Sequence, residues 1–277
     1  MKDRIGLIAG SGQFPLLFAQ AALEKGCQIF SAAFVDEADP QLREYSESIQ
    51  WLYVGQINKL IKFFHQHGIT RAVMMGAIRK TRMFTNVRPD FKALALIAGM
   101  RHTHDDAILR GFADVLEKEG IRIMPSTILL PDLLASPGVW TQRKPTRTET
   151  QDIRIGWNIA KEIGRLDIGQ CVVIQSGSIL AVEAIDGTDA TIERGGRLGT
   201  GQAVVIKVCK PQQDLRFDVP AVGLQTIETM HAANVRVLAI EAHKAVVFDR
   251  QAMVERADAC KIAIVAMDDE PYSADEL

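Results

Sequence analysis

The chain contains 277 residues, which is long for one domain and sufficient for two, since domains usually contain ~100–150 residues. Its hydrophobic share of 47% and charged share of 24% are those of an ordinary globular protein, and they exclude a disordered or fibrous chain. The net charge of -2 gives the whole chain no long-range attraction to nucleic acid or anionic lipid, so any bound anion must be held by local contacts.

The first half of the chain alternates short apolar strands with helices. Strands are predicted at 5–9, 27–35, 72–75 and 121–124, and helices at 15–25, 57–67 and 105–120. Gly26, Gly68 and Gly120 end the three helices, as glycine commonly does at a helix C-terminus. This alternation predicts an α/β fold with a parallel sheet and helices on both of its faces.

Proline, glycine, serine and threonine punctuate residues 131–150, which favours a linker. Beyond the linker we predict a helix to about residue 164, capped by Thr150 or Asp152, and a hairpin of strands 171–174 and 179–185. The remaining elements are strands at 203–208, 235–240, 245–248 and 262–267, of which the middle two form a second hairpin, and helices at 223–233 and 249–259. The predicted division is therefore a domain at 1–135, a linker at 136–150 and a second, distinct α/β domain at 151–277.

The first candidate site is the turn Gly10-Ser11-Gly12, where glycines after a strand would let backbone amides approach a phosphate at a helix N-terminus. Pro15 stands where a dinucleotide fingerprint has its third glycine, and Asp36 is the only contender for an acidic ribose ligand. The spacing excludes a dinucleotide site and slightly favours a tight turn, while a generic ligand crevice stays open.

The run His102-Thr103-His104-Asp105-Asp106 resembles a metal site, because alternate histidines can share one face of a strand. It lies just before a long helix, however, where Thr103 or Asp105 would be an ordinary cap and carboxylates suit the first turn. Capping is the better interpretation of the histidines, and the two aspartates are kept as candidate site residues.

The second half contains an acidic turn, EAIDGTDA, directly after an apolar strand. Around one glycine it carries three carboxylates and a hydroxyl, those of Glu183, Asp186, Asp189 and Thr188. Carboxylate oxygens are the ligands that a hard divalent cation prefers. The alternative is a solvated loop with salt bridges, which is how most charged turns behave.

A second charged segment, KVCKPQQDLRFDVPAVG, begins with Lys207 and Lys210 at the end of a strand. Asp214, Arg216 and Asp218 follow at alternate positions, so an extended segment would place their side chains on one face. Lysines neutralise phosphate oxygens, and with a cation held by carboxylates they could assist cleavage of a phosphate anhydride.

Other functional classes lack their motifs. The sequence has no Walker loop and no G-x-S-x-G elbow, and its basic residues are dispersed without aromatic residues between them, which weakens a nucleic-acid function. Four scattered cysteines without a Cys-x-x-Cys pair favour neither zinc nor disulfides. Because we find no signal peptide and no membrane-spanning run, we expect a cytoplasmic protein.

Several stretches together resemble the LpxI-type UDP-2,3-diacylglucosamine pyrophosphatases of lipid A biosynthesis. These stretches are GLIAGSGQFP, DDAILR, EIGRLDIGQCVVI, ILAVEAIDGTDA, KPQQDLRFDVPAVG and GLQTIETMHAA. The resemblance runs nearly end to end, and its C-terminal motifs are long and specific.

The resemblance implies a Rossmann-like N-terminal domain, a distinct C-terminal catalytic α/β domain and a substrate between them. It implies Mg²⁺-assisted hydrolysis, with Mn²⁺ as a substitute, by attack of water on the α-phosphorus. The products would be UMP and 2,3-diacylglucosamine 1-phosphate (lipid X). It further implies an amphipathic nucleotide-sugar lipid as the partner, transient contact with the cytoplasmic face of the inner membrane and a homo-oligomer.

The aspartate of the family's D-x-P-x-x-G motif falls on Asp218, which the resemblance implies is the essential catalytic carboxylate and a metal ligand. Glu183 and Asp186 are the further candidate metal ligands. The predicted substrate-binding residues are Gly10, Ser11, Gly12, Gly76, Ala77, Asp105, Asp106, Gln170, Thr188, Asp189, Lys207 and Lys210. Phe84 and the segment 94–100 are expected to shelter the acyl chains, although a buried helix would have the same sequence pattern.

Two alternatives remain open at this point. One is a non-catalytic nucleotide-sugar or lipid-binding protein, which would hold the substrate without turnover. The other is a dehydrogenase built on the opening glycine turn, which would need NAD to raise its thermal midpoint.

Overall fold

The computed structural model describes residues 3–78, 87–98, 105–216 and 218–268, and for residues 105–107 it describes the backbone alone. The described chain divides into two compact units. The first contains Met1–Pro131 with Asp214–Asp218, and the second contains Asp132–Gln213 with Val219–Leu277. We call them the N-terminal unit and the C-terminal unit.

The N-terminal unit is built on five parallel strands. They are β1 (Arg4–Ala9), β2 (Gln28–Phe34), β3 (Ser48–Leu52), β4 (Arg71–Met75) and β5 (Arg122–Met124), and its helices are α1 (Phe14–Glu24), α2 (Ile57–Gln66), α3 (Phe91–Ala98) and α4 (Asp105–Lys118). The strand order is β3-β2-β1-β4-β5, with every pairing parallel. The predicted parallel sheet is confirmed, and β3 is an edge strand that the sequence pattern did not reveal.

Apolar runs in these strands explain why the sheet is covered on both faces. Because successive side chains of a strand alternate between faces, Leu7 packs with Phe18 on one side while Ile8 packs with Phe64 on the other. Each of these four side chains is at most 2% exposed. Burial on both faces is what near-continuous apolar runs in parallel strands predict.

The C-terminal unit has a mixed six-stranded sheet. Its strands are β6 (Gly138–Val139), β7 (Cys171–Gln175), β8 (Ser178–Val182), β9 (Ala203–Lys207), β11 (Val235–Glu241) and β13 (Ala263–Met267), and β10 (Ala221–Val222) and β12 (Val246–Val247) form a separate parallel pair. Its helices are α5 (Arg147–Arg165), α6 (Gly187–Leu198), α7 (Leu224–Ala232) and α8 (Arg250–Ala259). The sheet order is β6-β13-β11-β9-β7-β8, in which β8, β9, β11 and β13 run one way and β6 and β7 the other.

Helices cover both faces of this sheet as well. Trp157 of α5 is 1% exposed and packs in a core with Val172 and Ile206, whereas Ile192 of α6 and Met253 of α8 pack in the core of the opposite face. The unit therefore has a layer of one long helix, a sheet and a layer of three helices.

The first predicted hairpin is confirmed, and the second is wrong. β7 and β8 pair antiparallel around Ser176 and Gly177, both of which have positive φ as a tight hairpin turn requires. β11 instead lies between β9 and β13, so both of its edges are occupied and β12 pairs in parallel with β10. A central strand has no free edge with which to form a hairpin with the segment that follows it.

The segment predicted as a linker contains regular structure. β6 pairs antiparallel with β13, and α5 begins at Arg147, so neither Thr150 nor Asp152 caps it. The cap is Thr146, whose hydroxyl accepts from the amide of Glu149 at 3.3 Å, while the Thr146 amide donates to the Glu149 carboxylate at 2.7 Å. Among the described helices, none is both long and apolar enough to cross a membrane.

Candidate functional site

Strands β8, β9, β11 and β13 of the C-terminal unit run in the same direction and end at the same edge of its sheet, which we call the carboxyl edge. Glu183 follows β8, Lys207 and Glu241 are the last residues of β9 and β11, and Gln170 immediately precedes the oppositely directed β7. In open α/β sheets, ligands bind at the carboxyl ends of the parallel strands. The topology thus brings four polar residues to the edge where a ligand is expected.

Glu183 is 7% exposed, and both of its carboxylate oxygens accept hydrogen bonds. One oxygen accepts from the backbone amide of Gln170 at 2.9 Å, and the other accepts from the hydroxyl of Thr188 at 2.7 Å. The carboxylate therefore ties the start of β7 to the first turn of α6.

Asp186 pairs with Arg194, whose other terminal nitrogen donates to the carbonyl of Val182 at 2.7 Å. Hydrogen bonding to this guanidinium lowers the pKa of the Asp186 carboxyl. Asp189 lies in the first turn of α6, where a carboxylate interacts favourably with the helix dipole. The sequence pattern predicted a turn here, and the structure adds the helix that begins within it.

These contacts bear on the predicted metal ligands. A cation at Glu183 would compete with the Thr188 hydroxyl and the Gln170 amide, and one at Asp186 would compete with Arg194. Across the residues that the structure describes, no group of three or more His, Cys, Asp or Glu side chains is arranged to hold a metal ion. The donor set of the acidic turn therefore fits structural roles better than a metal site, and the metal assignment of Glu183 and Asp186 gains no support from it.

The two predicted phosphate-binding lysines differ in their surroundings. Lys207 donates to the carbonyl of Ala221 at 2.8 Å, and in the described part of the chain no carboxylate forms an ion pair with it. Lys210 forms an ion pair with Asp167 at 2.7 Å. The ammonium group of Lys207 is therefore more available than that of Lys210 to bind an anionic ligand.

Lys207 lies directly opposite Cys171, the buried first residue of β7. Burial raises the pKa of the Cys171 thiol, and the neighbouring Glu183 raises it further. A thiol in this state is neutral and unreactive, so Cys171 is a packing residue rather than a nucleophile.

Gln170 has a side-chain oxygen that is buried and, among the described residues, accepts no hydrogen bond. Its backbone is fully used, because the amide donates to Glu183 and the carbonyl accepts from the Val208 amide at 3.0 Å. A buried acceptor without a donor is costly unless another group satisfies it. At the carboxyl edge, a donor from a bound ligand would do so.

The sequence pattern did not reveal Glu241, which is 1% exposed at the end of β11. Its carboxylate accepts from Lys161 at 2.7 Å and 2.8 Å, from Lys244 at 2.7 Å and from the backbone amide of Cys209 at 2.7 Å. Through the Cys209 amide, the cluster fixes the segment that joins Lys207, at the end of β9, to Lys210. The charged residue that follows the apolar run 237–240 was the available indication in the sequence.

The segment Asp214–Asp218 belongs to the N-terminal unit. The prediction of an extended segment is wrong: the amide of Asp218 donates to the carbonyl of Asp214 at 3.0 Å, which closes a turn. Arg216 pairs with Asp214 at 2.7 Å and with Glu117 of α4 at 2.9 Å, and hydrogen bonding to Arg216 lowers the pKa of Asp214. Arg216 and Asp214 thus form an ion pair with each other, and Asp218, two residues after Arg216, is half-buried.

The two glycine turns of the N-terminal unit contact each other. The Ser11 amide donates to the carbonyl of Ala77 at 2.8 Å, and the Ala77 amide donates to the carbonyl of Ser11 at 3.1 Å. A Cβ on Gly10 would lie 2.6 Å from the Ala77 oxygen, and one on Gly76 would lie 2.6 Å from the Ser11 oxygen. Close backbone approach therefore explains both glycines, while Gly12, whose φ is +94°, has nothing within 4 Å of such a Cβ.

Other predicted site residues are only partly described or lie outside the described residues. Asp105 and Asp106 form the first turn of α4, as predicted, and their side chains are not described. Phe84, His102 and His104 lie outside the described residues, as do the last two residues of the segment 94–100.

Comparison with known proteins identifies the family. The models described as "LpxI N-terminal domain" and "LpxI C-terminal domain" match residues 4–133 and 136–265. The curated protein "UDP-2,3-diacylglucosamine pyrophosphatase LpxI" from Caulobacter vibrioides is 30% identical over 276 residues, which cover 96% of this chain and 98% of that protein. The chain belongs to the LpxI family.

The family match confirms the resemblance and the two-domain α/β fold class. Solved structures add little to the description of this LpxI-family chain. A biotin carboxylase domain of a thermophilic 2-oxoglutarate carboxylase aligns at 14% identity with a TM-score of 0.26, covering 62% of this chain and 35% of that one. An N5-carboxyaminoimidazole synthetase from Staphylococcus aureus aligns at 16% with a TM-score of 0.24, covering 72% and 46%. Likeness at this level supports no argument about function.

Proposed function

We propose that this protein hydrolyses the pyrophosphate of UDP-2,3-diacylglucosamine to UMP and 2,3-diacylglucosamine 1-phosphate (lipid X). The observation that carries the proposal is the 30% identity, over nearly the full length of both chains, to a protein named for this pyrophosphatase activity. Water adds to the α-phosphorus, the bond from that phosphorus to the bridging oxygen breaks, and the bridging oxygen leaves with lipid X. We propose the cytoplasm as the location and contact with a membrane surface as the source of substrate.

Three residues receive proposed roles. Asp218 is the essential carboxylate, an assignment that rests on the family motif around it. Lys207 neutralises charge on the phosphate oxygens, which its lack of a carboxylate partner in the described chain supports. Gln170 orients the substrate by accepting a hydrogen bond at its buried, unsatisfied side-chain oxygen.

Mg²⁺, or Mn²⁺ in its place, is a further proposal that rests on the resemblance, with Asp218 as the residue assigned to hold it. Such an ion would offset negative charge on the pyrophosphate. Its test is Mn²⁺ binding followed by electron paramagnetic resonance, which reports the ion without turnover. Loss of binding in Asp218→Asn, with retention in Asp186→Asn, would support the assignment, and equal binding by both variants would remove it.

The main experiment incubates the full chain with UDP-2,3-diacylglucosamine and a divalent cation and measures UMP. We expect release by the wild type and none by Asp218→Ala with its fold intact. Lys207→Met should lower turnover by roughly 10²-fold or more, as loss of a charge-stabilising group does, and Lys210→Met should lower it less. Substrate that binds but survives prolonged incubation would make the protein a non-catalytic nucleotide-sugar lipid-binding protein.

Water enriched in oxygen-18 locates the attack. Label in UMP corresponds to attack on the α-phosphorus, and label in lipid X corresponds to attack on the β-phosphorus. The first result is expected, and the second would overturn the proposed direction of attack while leaving the pyrophosphatase activity in place.

A further inference from the structure

The C-terminal unit has a pocket of about 420 Å³ at the edge of its sheet opposite to the carboxyl edge, which we call the amino edge. Its lining includes Gln202, which precedes β9, Arg236 of β11 and Lys261, which precedes β13. The turn between β7 and β8 and the start of α5 complete the wall. Lys207, at the other end of β9, is five residues and ~16 Å along the strand from Gln202. The pocket is therefore separate from the candidate functional site.

Three basic side chains line this pocket, and two of them lack a carboxylate partner. In the described part of the chain, Arg236 donates only to backbone carbonyls, that of Gly201 at 3.4 Å and that of Cys260 at 3.2 Å. Lys261 is exposed, and its side chain has no hydrogen bond or ion pair with any described residue. A guanidinium and an ammonium group whose charges are not offset by carboxylates attract an anion.

The third basic residue, Arg143, carries a donor for which the described chain has no acceptor. Its Nη2 donates to Glu149 at 2.5 Å, whereas its Nη1 is buried and has no hydrogen-bond partner among the described residues. A buried charged donor without an acceptor is costly. An oxygen of an anionic ligand that enters beside the guanidinium would accept from Nη1.

The two carboxylates in the lining are already used by the fold. Glu149 is 5% exposed, and its oxygens accept from Arg143 and from the amide of Thr146 at 2.7 Å. Asp152 is 2% exposed, and its oxygens accept from the two amides of the hairpin turn between β7 and β8, at 2.8 Å and 2.6 Å. Because each of these oxygens is occupied, the carboxylates hold the wall together, and the charge left for a ligand is the positive charge of the basic residues.

The segment predicted as a linker gives the pocket much of this character. Residues 141–150 contain three basic side chains and a single acidic one, Glu149. The same segment begins the 19-residue helix α5, whose N-terminal end carries the positive end of the helix dipole. Both contributions favour an anion at this position, in addition to the side chains of Arg236 and Lys261.

The rest of the lining indicates what the anion is attached to. It contains no aromatic and no large aliphatic side chain, so it offers no surface on which a base would stack or an acyl chain would lie. Exposed hydroxyl and amide groups of Thr148, Ser176 and Gln202 are suited to hydrogen bonds with a polyhydroxylated compound. A volume of about 420 Å³ is that of a small-molecule site (typically ~300–1,000 Å³) and exceeds what a phosphate group alone fills.

We propose that the amino-edge pocket binds a water-soluble sugar phosphate. The phosphate interacts with Arg143, Arg236 and Lys261, and the sugar hydroxyls interact with the polar groups of the rim. The proposal does not depend on the proposed pyrophosphatase activity, because no residue of this pocket belongs to the candidate functional site.

The first test is hydrogen exchange of the full chain with glucose 6-phosphate, glucose or inorganic phosphate as the probe. We expect glucose 6-phosphate to slow exchange at residues 146–150 and 200–202 and to leave residues 207–210 unchanged. Glucose should have no effect, and inorganic phosphate should act only at higher concentration. No slowing at the amino edge, or slowing at residues 207–210 alone, would overturn the proposal. Equal binding of inorganic phosphate and glucose 6-phosphate would overturn the assignment to a sugar phosphate.

The second test measures the affinity for glucose 6-phosphate by isothermal titration calorimetry. Arg143→Gln should weaken binding by about tenfold or more, because a charge-assisted hydrogen bond is lost. Lys261→Met should weaken it by roughly threefold, as expected for an exposed charge, and should fold as the wild type does because the side chain makes no described contact.

Two controls separate the pocket from general charge effects and from the candidate functional site. Arg197→Gln removes an exposed basic residue of α6 that lies outside the lining, and Lys207→Met removes the lysine of the carboxyl edge. Both variants should bind glucose 6-phosphate as the wild type does. If Lys261→Met and Arg197→Gln bind equally well, or if Lys207→Met alone loses binding, the ligand is not held at the amino edge and the proposal fails.

Discussion

Replacement of Glu241 by alanine tests whether the carboxylate cluster at the carboxyl edge stabilises the C-terminal unit. The carboxylate is 1% exposed and accepts from Lys161, Lys244 and the Cys209 amide. Removing one partner of a buried ion pair costs ~3–5 kcal/mol, because the remaining charges lose their compensation. The side chains of Lys161 and Lys244 are 22% and 33% exposed and can turn toward water, so we expect a value near the lower limit, about 3 kcal/mol.

Two measurements check this value. Urea unfolding gives the change in the free energy of unfolding when it is followed by the fluorescence of Trp157, which is buried against the same sheet, in a chain with Trp51 and Trp140 replaced by phenylalanine. Hydrogen exchange at the Cys209 amide gives the local effect, since this amide loses its acceptor in Glu241→Ala.

Glu162→Ala is the matched control, because Glu162 forms an exposed ion pair with Arg165 in which the side chains are 64% and 60% exposed. Such pairs contribute little, so the control should lose less than ~1 kcal/mol. If Glu241→Ala and Glu162→Ala unfold at the same urea concentration and the Cys209 amide exchanges as in the wild type, the argument for a stabilising cluster is refuted.

Three further predictions concern other parts of the molecule. Gly10→Ala should destabilise the N-terminal unit by ~1–3 kcal/mol in thermal or urea unfolding, because its Cβ would lie 2.6 Å from a backbone oxygen of the facing turn. Hydrogen bonding to Arg216 lowers the pKa of Asp214 in the folded protein. The pair therefore stabilises the fold above the ordinary carboxyl pKa of ~4, and this stabilisation is lost as the pH falls through the lower pKa that Asp214 has in the folded protein. Arg216→Gln should therefore lose less stability than the wild type between pH 5 and pH 2, as followed by urea midpoints. Iodoacetamide should modify half-buried Cys27 before Cys171, which is buried and has a raised pKa, as mass spectrometry of the native protein would show.

Each of these predictions has a contrary outcome. A free energy of unfolding for Gly10→Ala within ~0.5 kcal/mol of the wild-type value would show that the facing turns accommodate the added Cβ. Parallel acid profiles for the wild type and Arg216→Gln would show that the Asp214 pair does not contribute. Modification of Cys171 ahead of Cys27 would contradict its assignment as an inert core residue.

The sequence alone predicted four of the five strands of the N-terminal sheet, most of the other element positions and the family. Short apolar runs between helices are sufficient to predict buried parallel strands, because the pattern is local and the rule for burial on both faces is strict. The tight turn at Gly10 followed from the same local logic. The motifs around Glu183 and Asp218 were long enough to identify the family without any knowledge of contacts.

Tertiary structure decided what local pattern does not encode. Whether strand 245–248 pairs with β11 depends on which other strands occupy the edges of β11, and those strands lie far away in the sequence. Whether a lysine remains available for a ligand depends on partners such as Asp167 for Lys210 and a carbonyl for Lys207. Glu241 became a candidate stabilising residue only in the folded chain, where Lys161 contacts it from 80 residues away in the sequence. Partners of this kind are set by packing, and a charged residue in a sequence carries no record of them.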